Sequence, residues 1–123
     1  MIGCAVWTVQ PDHSNVSDRQ LRAVIDTIPA LVWLANTEGA AEYLNRRWLE
    51  YTGLTQAQAV GWGWTVAVHP EDLERLTNYW RSVRESGVRG ETEARLRRVD
   101  GEYGWFKFTA EPLHDQSGTV VGW

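Results

Sequence analysis

The stretch ETEARLRRVDGEYGWFKFTAEPL, residues 91–113, commits this 123-residue chain to β-structure more firmly than any other part of it. Asp100–Gly101 sits between two runs of strand-forming residues, a strong signal for an antiparallel hairpin. Successive strand residues point to opposite faces. In the second run Phe106, Phe108 and Ala110 therefore share one face, and Trp105, Lys107 and Thr109 the other. Lysine avoids a closed core, so the Phe106 face is the inner one. In the first run Ala94 and Leu96 are the inner pair.

Upstream, residues 1–17 carry weak signals and read as an N-terminal extension. Ser17 is placed to cap a helix through DRQLRAVIDTI, in which Leu21, Val24, Ile25 and Ile28 follow helical spacing. Pro29 stops it. ALVWLAN reads as a short strand, TEG as a turn and AEYLN as a second strand. RRWLEYTG is a short helix ended by Gly53, and TQAQAVG another, capped by Thr55 and closed by Gly61. Pro70, Glu71 and Asp72 suit the first turn of a helix running to about Glu85, with Leu73, Leu76, Trp80 and Val83 as one stripe and Gly87 as its stop. HDQSG is a turn, and TVVGW begins a last strand. Strands at both ends and helices between them predict an α+β domain, an antiparallel sheet with helices on one face.

Composition narrows the function. The net charge of −4 supplies no general attraction to nucleic acid or anionic lipid. Cys4 is the only cysteine, which precludes an internal disulfide and makes a reducing cytoplasm the default. No run approaches the ~20 apolar residues of a membrane span. His13, His69 and His114 are far apart and have no metal-ligand spacing. Gly61-x-Gly63 lacks the remainder of a phosphate loop, and the arginines at 95, 97 and 98 alternate with acids on a solvated strand. Glu50 and Asp72 would serve acid–base chemistry only from within a cleft.

Three stretches in order, IDTIPALVWLANTEGAAEYLNRRWLEYTGLT, GWGWTVAVHPEDLERL and EARLRRVDGEYGWFKFTAEPLHDQSGTVVGW, resemble a PAS domain of the subtype common in bacterial sensor kinases. The resemblance covers residues 18–123. It implies a five-stranded antiparallel sheet of order 2-1-5-4-3, short helices and one long helix across its concave face, and a small cavity between the layers. It also implies sensing or dimerisation coupled to a linked effector, most often a histidine kinase. With the family register, Val32 and Leu34 face inward and Trp33 outward. Trp33 and Trp105 then form an apolar outer patch, which soluble monomers avoid. A homodimer through that face and the N-terminal helix (Leu21, Val24, Ile25) is the expectation.

Candidate cavity residues are Val32, Leu34, Trp48, Trp62, Trp64, Trp80, Ala94, Leu96, Phe106 and Phe108. Indoles offer flat apolar walls and one N–H donor each, so they either receive a small organic ligand or fill the space as core. The flavin photoreceptors that resemble this fold need a cysteine near the position of Trp64, which excludes a cysteine adduct. The haem-binding branch places a histidine on the long helix, where none occurs between Glu71 and Glu85; His69, at the helix entrance, reads as bonded to neighbouring backbone. Arg46, Arg47 and Tyr51 lie near the mouth and read as solvated surface. Three functions follow: a ligand-sensing input domain, a ligand-free dimerisation module, or a small α+β enzyme. Their cavity walls differ: mixed apolar and donor groups in the first, closed indoles in the second, a buried acid in the third.

Overall fold

The computed structural model describes residues 18–123. The N-terminal extension and the Ser17 cap fall outside the described residues. The described elements are α1 (Asp18–Asp26), β1 (Trp33–Ala35), β2 (Ala41–Leu44), α2 (Arg46–Thr52), α3 (Gln56–Ala59), a 3-10 helix (Gly63–Ala67), α4 (Pro70–Ser86), β3 (Gly90–Arg97), β4 (Tyr103–Ala110), β5 (Leu113–His114) and β6 (Val120–Gly122). This is the mixed helix-and-sheet class expected, with every strand pair antiparallel.

The hairpin forms around its Asp-Gly turn. β3 pairs with β4 in unbroken register from Gly90–Ala110 to Arg97–Tyr103. Gly101 takes the left-handed φ of 95° that the turn demands. Its N–H donates to the Arg98 carbonyl, while the Asp100 carboxylate grips the Arg98 guanidinium at 2.6 and 2.9 Å. Ala94 and Leu96 are buried and Phe106 and Phe108 half-buried against the same core, whereas Trp105 is 63% exposed.

The five strands expected in one 2-1-5-4-3 sheet run instead as six strands in three two-stranded ladders, β1–β2, β3–β4 and β5–β6. The expected fourth strand is divided into β4 and β5 at Glu111–Pro112, where proline has no N–H to give a ladder. Ala35 and Trp123 exchange N–H···O=C bonds of 2.8 Å in both directions, which ties the end of β6 to β1.

The facing of β1 is the reverse of that expected. Trp33 pairs with Leu44, a fully buried core residue, and Leu34 with Tyr43. Opposed residues of an antiparallel pair share a face, so Trp33 and Ala35 point inward and Leu34 lies with Tyr43, on the side where the Tyr43 hydroxyl donates to Asp26 of α1. Tyr43 also lies under the Arg22 guanidinium of α1, 4.9 Å from its ring centre. The outer patch of two indoles does not exist; Trp105 alone remains there, stacked with the Arg95 guanidinium 4.9 Å from its ring centre. Of the α1 stripe only Ile25 is buried, with Leu21 half-buried and Val24 exposed.

The helices start and stop as their side chains dictate. Thr55 and Gln58 close a reciprocal capping box on α3, whose C-cap is Val60 rather than Gly61. Gly53 and Gly87 end α2 and α4 at φ 78° and 72°. His69 caps α4: its Nδ1 accepts the Glu71 N–H at 3.0 Å.

One ion pair clamps α4 to β3. Asp72, only 4% exposed, accepts the Arg95 backbone N–H at 2.9 Å and two guanidinium N–H groups at 2.8 and 2.9 Å. The Arg95 side-chain bonds, aided by its backbone N–H, hold the Asp72 carboxyl well below the usual carboxylate range despite burial. The folded protein thus binds this proton less tightly than the unfolded chain. The clamp's contribution is complete above the unfolded value of about 3.9 and is lost as pH falls towards the lower folded value. Urea midpoints are expected to fall as pH drops below about 4, and Asp72→Asn should weaken the protein at pH 7 while flattening that fall. An unchanged acid profile in Asp72→Asn would remove the clamp from the account.

Candidate functional site

The bulky rings of the sequence gather between the strands and the long helix. Asn45 positions the first of them. It ends β2 and caps α2, its Oδ1 accepting the Trp48 N–H, so that the first turn of α2 sends the Trp48 ring into the core at 2% exposure. Trp64 enters from the 3-10 helix and is buried beside it. Trp80, one turn beyond Leu76 on α4, donates its indole N–H to the Gly39 carbonyl at 3.1 Å. Trp33 and Trp123 stand edge-on to Trp80, with centroids 5.3 and 5.4 Å away and interplanar angles of 82° and 79°. Such contacts are worth about 0.5–1.5 kcal/mol each beyond the area they bury.

Beside these rings lies a cavity of about 50 Å³, lined by Trp33, Ala35, Trp48, Trp64, Leu76, Tyr79, Trp80, Val83, Thr92, Phe108 and Ala110 among others. No charged side chain lines it. Its two hydroxyls each accept one hydrogen bond, Tyr79 from the Glu91 N–H at 3.1 Å and Thr92 from Arg75 at 3.2 Å, and each keeps its own O–H to donate. A second, more open space of about 380 Å³ lies between residues 29–33 and residues 106–109, and Leu96 and Phe106 belong to its lining. Trp33, Trp48 and Phe108 line both spaces and form the wall between them.

Of the sequence candidates, Trp48, Trp64, Trp80 and Phe108 line the inner cavity, Leu96 and Phe106 line the outer space, and Ala94 is core that lines neither. Val32 and Leu34 are displaced by the register of β1, which brings Trp33 and Ala35 in instead. Trp62 is 43% exposed; it lies tilted on Trp64 at 6.2 Å and under the Arg84 guanidinium, outside the cavity wall. Arg46 and Arg47 are exposed, and Tyr51 stacks edge-on to Phe106 at 5.0 Å without reaching the inner cavity. Leu76 and Val83 extend a stripe legible in the sequence, and Ala110 shares the face of Phe108; Trp123 could be found only through its distant partners.

Chemically the cavity offers apolar walls and few polar groups. Asp72 is buried but committed to Arg95, and no carboxylate lines the cavity. Among the described residues, no three histidine, cysteine or acidic side chains come together as a metal site, and no helix is long and apolar enough to cross a membrane.

A family model described as the PAS fold matches residues 41–123. The uncharacterized protein y4lL of Sinorhizobium fredii is 34% identical over 106 residues, 86% of this chain and 13% of that protein. The peroxide stress-activated histidine kinase mak1 of Schizosaccharomyces pombe is 35% identical over 102 residues, 82% of this chain and 6% of the kinase. This chain therefore spans only a small part of these relatives. Among solved structures, the N-terminal domain of a diguanylate cyclase with PAS/PAC sensor from Marinobacter aquaeolei superposes with a TM-score of 0.63 at 29% identity, covering 73% of this chain and 84% of that one. Strands paired antiparallel, short helices leading into one long helix, and a small cavity between the layers agree with that match: the chain belongs to the PAS family of sensory domains.

Proposed function

We propose that this domain is the input module of a larger signalling protein, that its inner cavity takes up a small molecule, and that the linked effector is a histidine kinase. The observation that carries the effector is the 35% identity to a histidine kinase over 82% of this chain. The apolar cavity between α4 and the strands supports the ligand. Its volume of about 50 Å³ is far below the ~300–1,000 Å³ of drug-sized sites, so the ligand is smaller than flavin or haem. A ligand shifts a domain only by preferring one of its arrangements, and Trp80, which lines the cavity and touches Trp123, is the element placed to report occupancy.

The small volume equally favours a second reading, a ligand-free interaction module in which the rings serve as core. One experiment separates the two. The purified domain is denatured and its supernatant searched by mass spectrometry, and the folded domain is screened with small neutral molecules by thermal melting. A binder present at 100 times its Kd should stabilise the domain by about 2.7 kcal/mol. No released molecule and no upward shift with any of them would leave the ligand-free module. Light scattering on the same sample tests self-association, for which Val24 and Trp105 supply exposed apolar surface.

A further inference from the structure

Of the residues that line the inner cavity, Tyr79 alone is exposed, at 36%. Trp33, Thr92 and Phe108 are half-buried and the rest are buried. Tyr79 lies on the seam between α4 and β3, which side chains at helical spacing hold together: Asp72, Arg75, Tyr79 and Val83. Asp72 takes three bonds from Arg95. Arg75 donates to the Thr92 hydroxyl and the Glu93 carbonyl, at 3.2 and 2.8 Å. Val83 lies so close to Gly90 that a Cβ there would collide with it. The Tyr79 side chain makes a single hydrogen bond, its hydroxyl accepting the Glu91 N–H. Resting on the ligand reading above, we propose that Tyr79 is the gate of the inner cavity: a small neutral guest passes between α4 and β3 when its ring swings aside.

The competing route enters from the outer space through the wall of Trp33, Trp48 and Phe108. Trp48 is buried in the core and Trp33 stands edge-on to Trp80, so passage there must part packed rings and return apolar area to water. Passage at Tyr79 breaks one bond. Both the ring and Glu91 are exposed, so water takes over the freed N–H and hydroxyl. Exposed side chains change rotamer within picoseconds to nanoseconds. The Asp72–Arg95 pair on one side of Tyr79 and the Val83–Gly90 contact on the other fix the width of the seam, so the ring moves and the helix stays.

The probe is xenon, which enters apolar cavities. Exchange spectroscopy with ¹²⁹Xe on the folded domain reads both the bound population and the rate at which the atom leaves. Tyr79→Phe removes the hydroxyl and keeps the ring, so xenon should leave about fivefold faster, the size of one net hydrogen bond, with the bound population little changed. Tyr79→Ala removes the ring as well and should be at least as fast. Phe108→Leu thins the wall towards the outer space and should leave the rate little changed. Wild-type rates in both Tyr79 variants, or a faster rate in Phe108→Leu alone, would overturn the gate while leaving a cavity that takes a guest. Xenon uptake by none of these proteins defeats the ligand reading and the gate with it. Should Tyr79→Ala fail to fold, Tyr79→Phe, which keeps the packed ring, decides the matter.

Discussion

Asn45→Ala is expected to destabilise this domain by about 3–5 kcal/mol, the sum of a lost helix cap and of buried backbone groups left unpaired. Asn45 is 0% exposed and ties four segments together. Its Oδ1 accepts the N–H of Val32 ahead of β1 and of Trp48 in α2, at 3.0 and 3.3 Å. Its Nδ2 donates to the carbonyls of Ile25 in α1 and Ala30 in the following turn, at 3.0 and 2.9 Å. Alanine removes all four bonds and offers no water in exchange. A loss of that size is a large share of the ~5–15 kcal/mol by which whole domains are stable. Asn45→Asp keeps the acceptor but turns an oxygen towards two carbonyls, so it should be at least as damaging at pH 7 and recover partly in acid, where the carboxyl regains a donor. Urea denaturation of the three proteins checks this. A loss below about 1 kcal/mol in Asn45→Ala, the typical value of a lone cap, would mean that the four bonds do not hold the segments.

Gly63→Ala should be comparably severe, costing about 3 kcal/mol or more through forced overpacking. A Cβ at Gly63 would stand 1.7 Å from the Gln58 carbonyl oxygen, which is backbone and cannot swing away. The neighbouring glycine is the control. Gly61 has φ 68°, but a Cβ there would meet nothing within 4 Å, so Gly61→Ala should cost only the ~1–2 kcal/mol of a left-handed residue. Equal effects at the two positions would deny the close approach. The contact also explains the Trp-Gly-Trp sequence. Glycine lets the start of the 3-10 helix press against the end of α3, and a turn of about three residues then sends Trp62 and Trp64 to different sides, one to the surface and one to the core.

The same turn shows why the sequence was only partly legible. Reading both flanking indoles as cavity wall treats them as equivalent, whereas Trp62 stands before the 3-10 helix at its N-cap and covers Trp64 from the solvent side. In the β3–β4 hairpin one charged residue, Lys107, discriminates the two faces, and the inner positions follow by alternation. β1 holds no such marker: Leu31 to Ala35 are all apolar, and their facing is set by pairing with β2, in particular by Trp33 opposite Leu44. A register taken from family likeness was one residue out, enough to exchange the faces. Asn45 was legible locally, since asparagine before a helix-forming run is a cap signal; taking it as the end of a strand hid its role. Trp123 was not legible, because its environment is made by Trp80 and Ala35, 43 and 88 positions away.

That last residue is fastened twice, by backbone to Ala35 and by ring to Trp80. Backbone stitching and ring seating occupy the same amino acid, so a displacement of the chain at that point strains both. A pull on position 123 is therefore resisted from two directions, by the strand edge at Ala35 and by the long helix at Trp80.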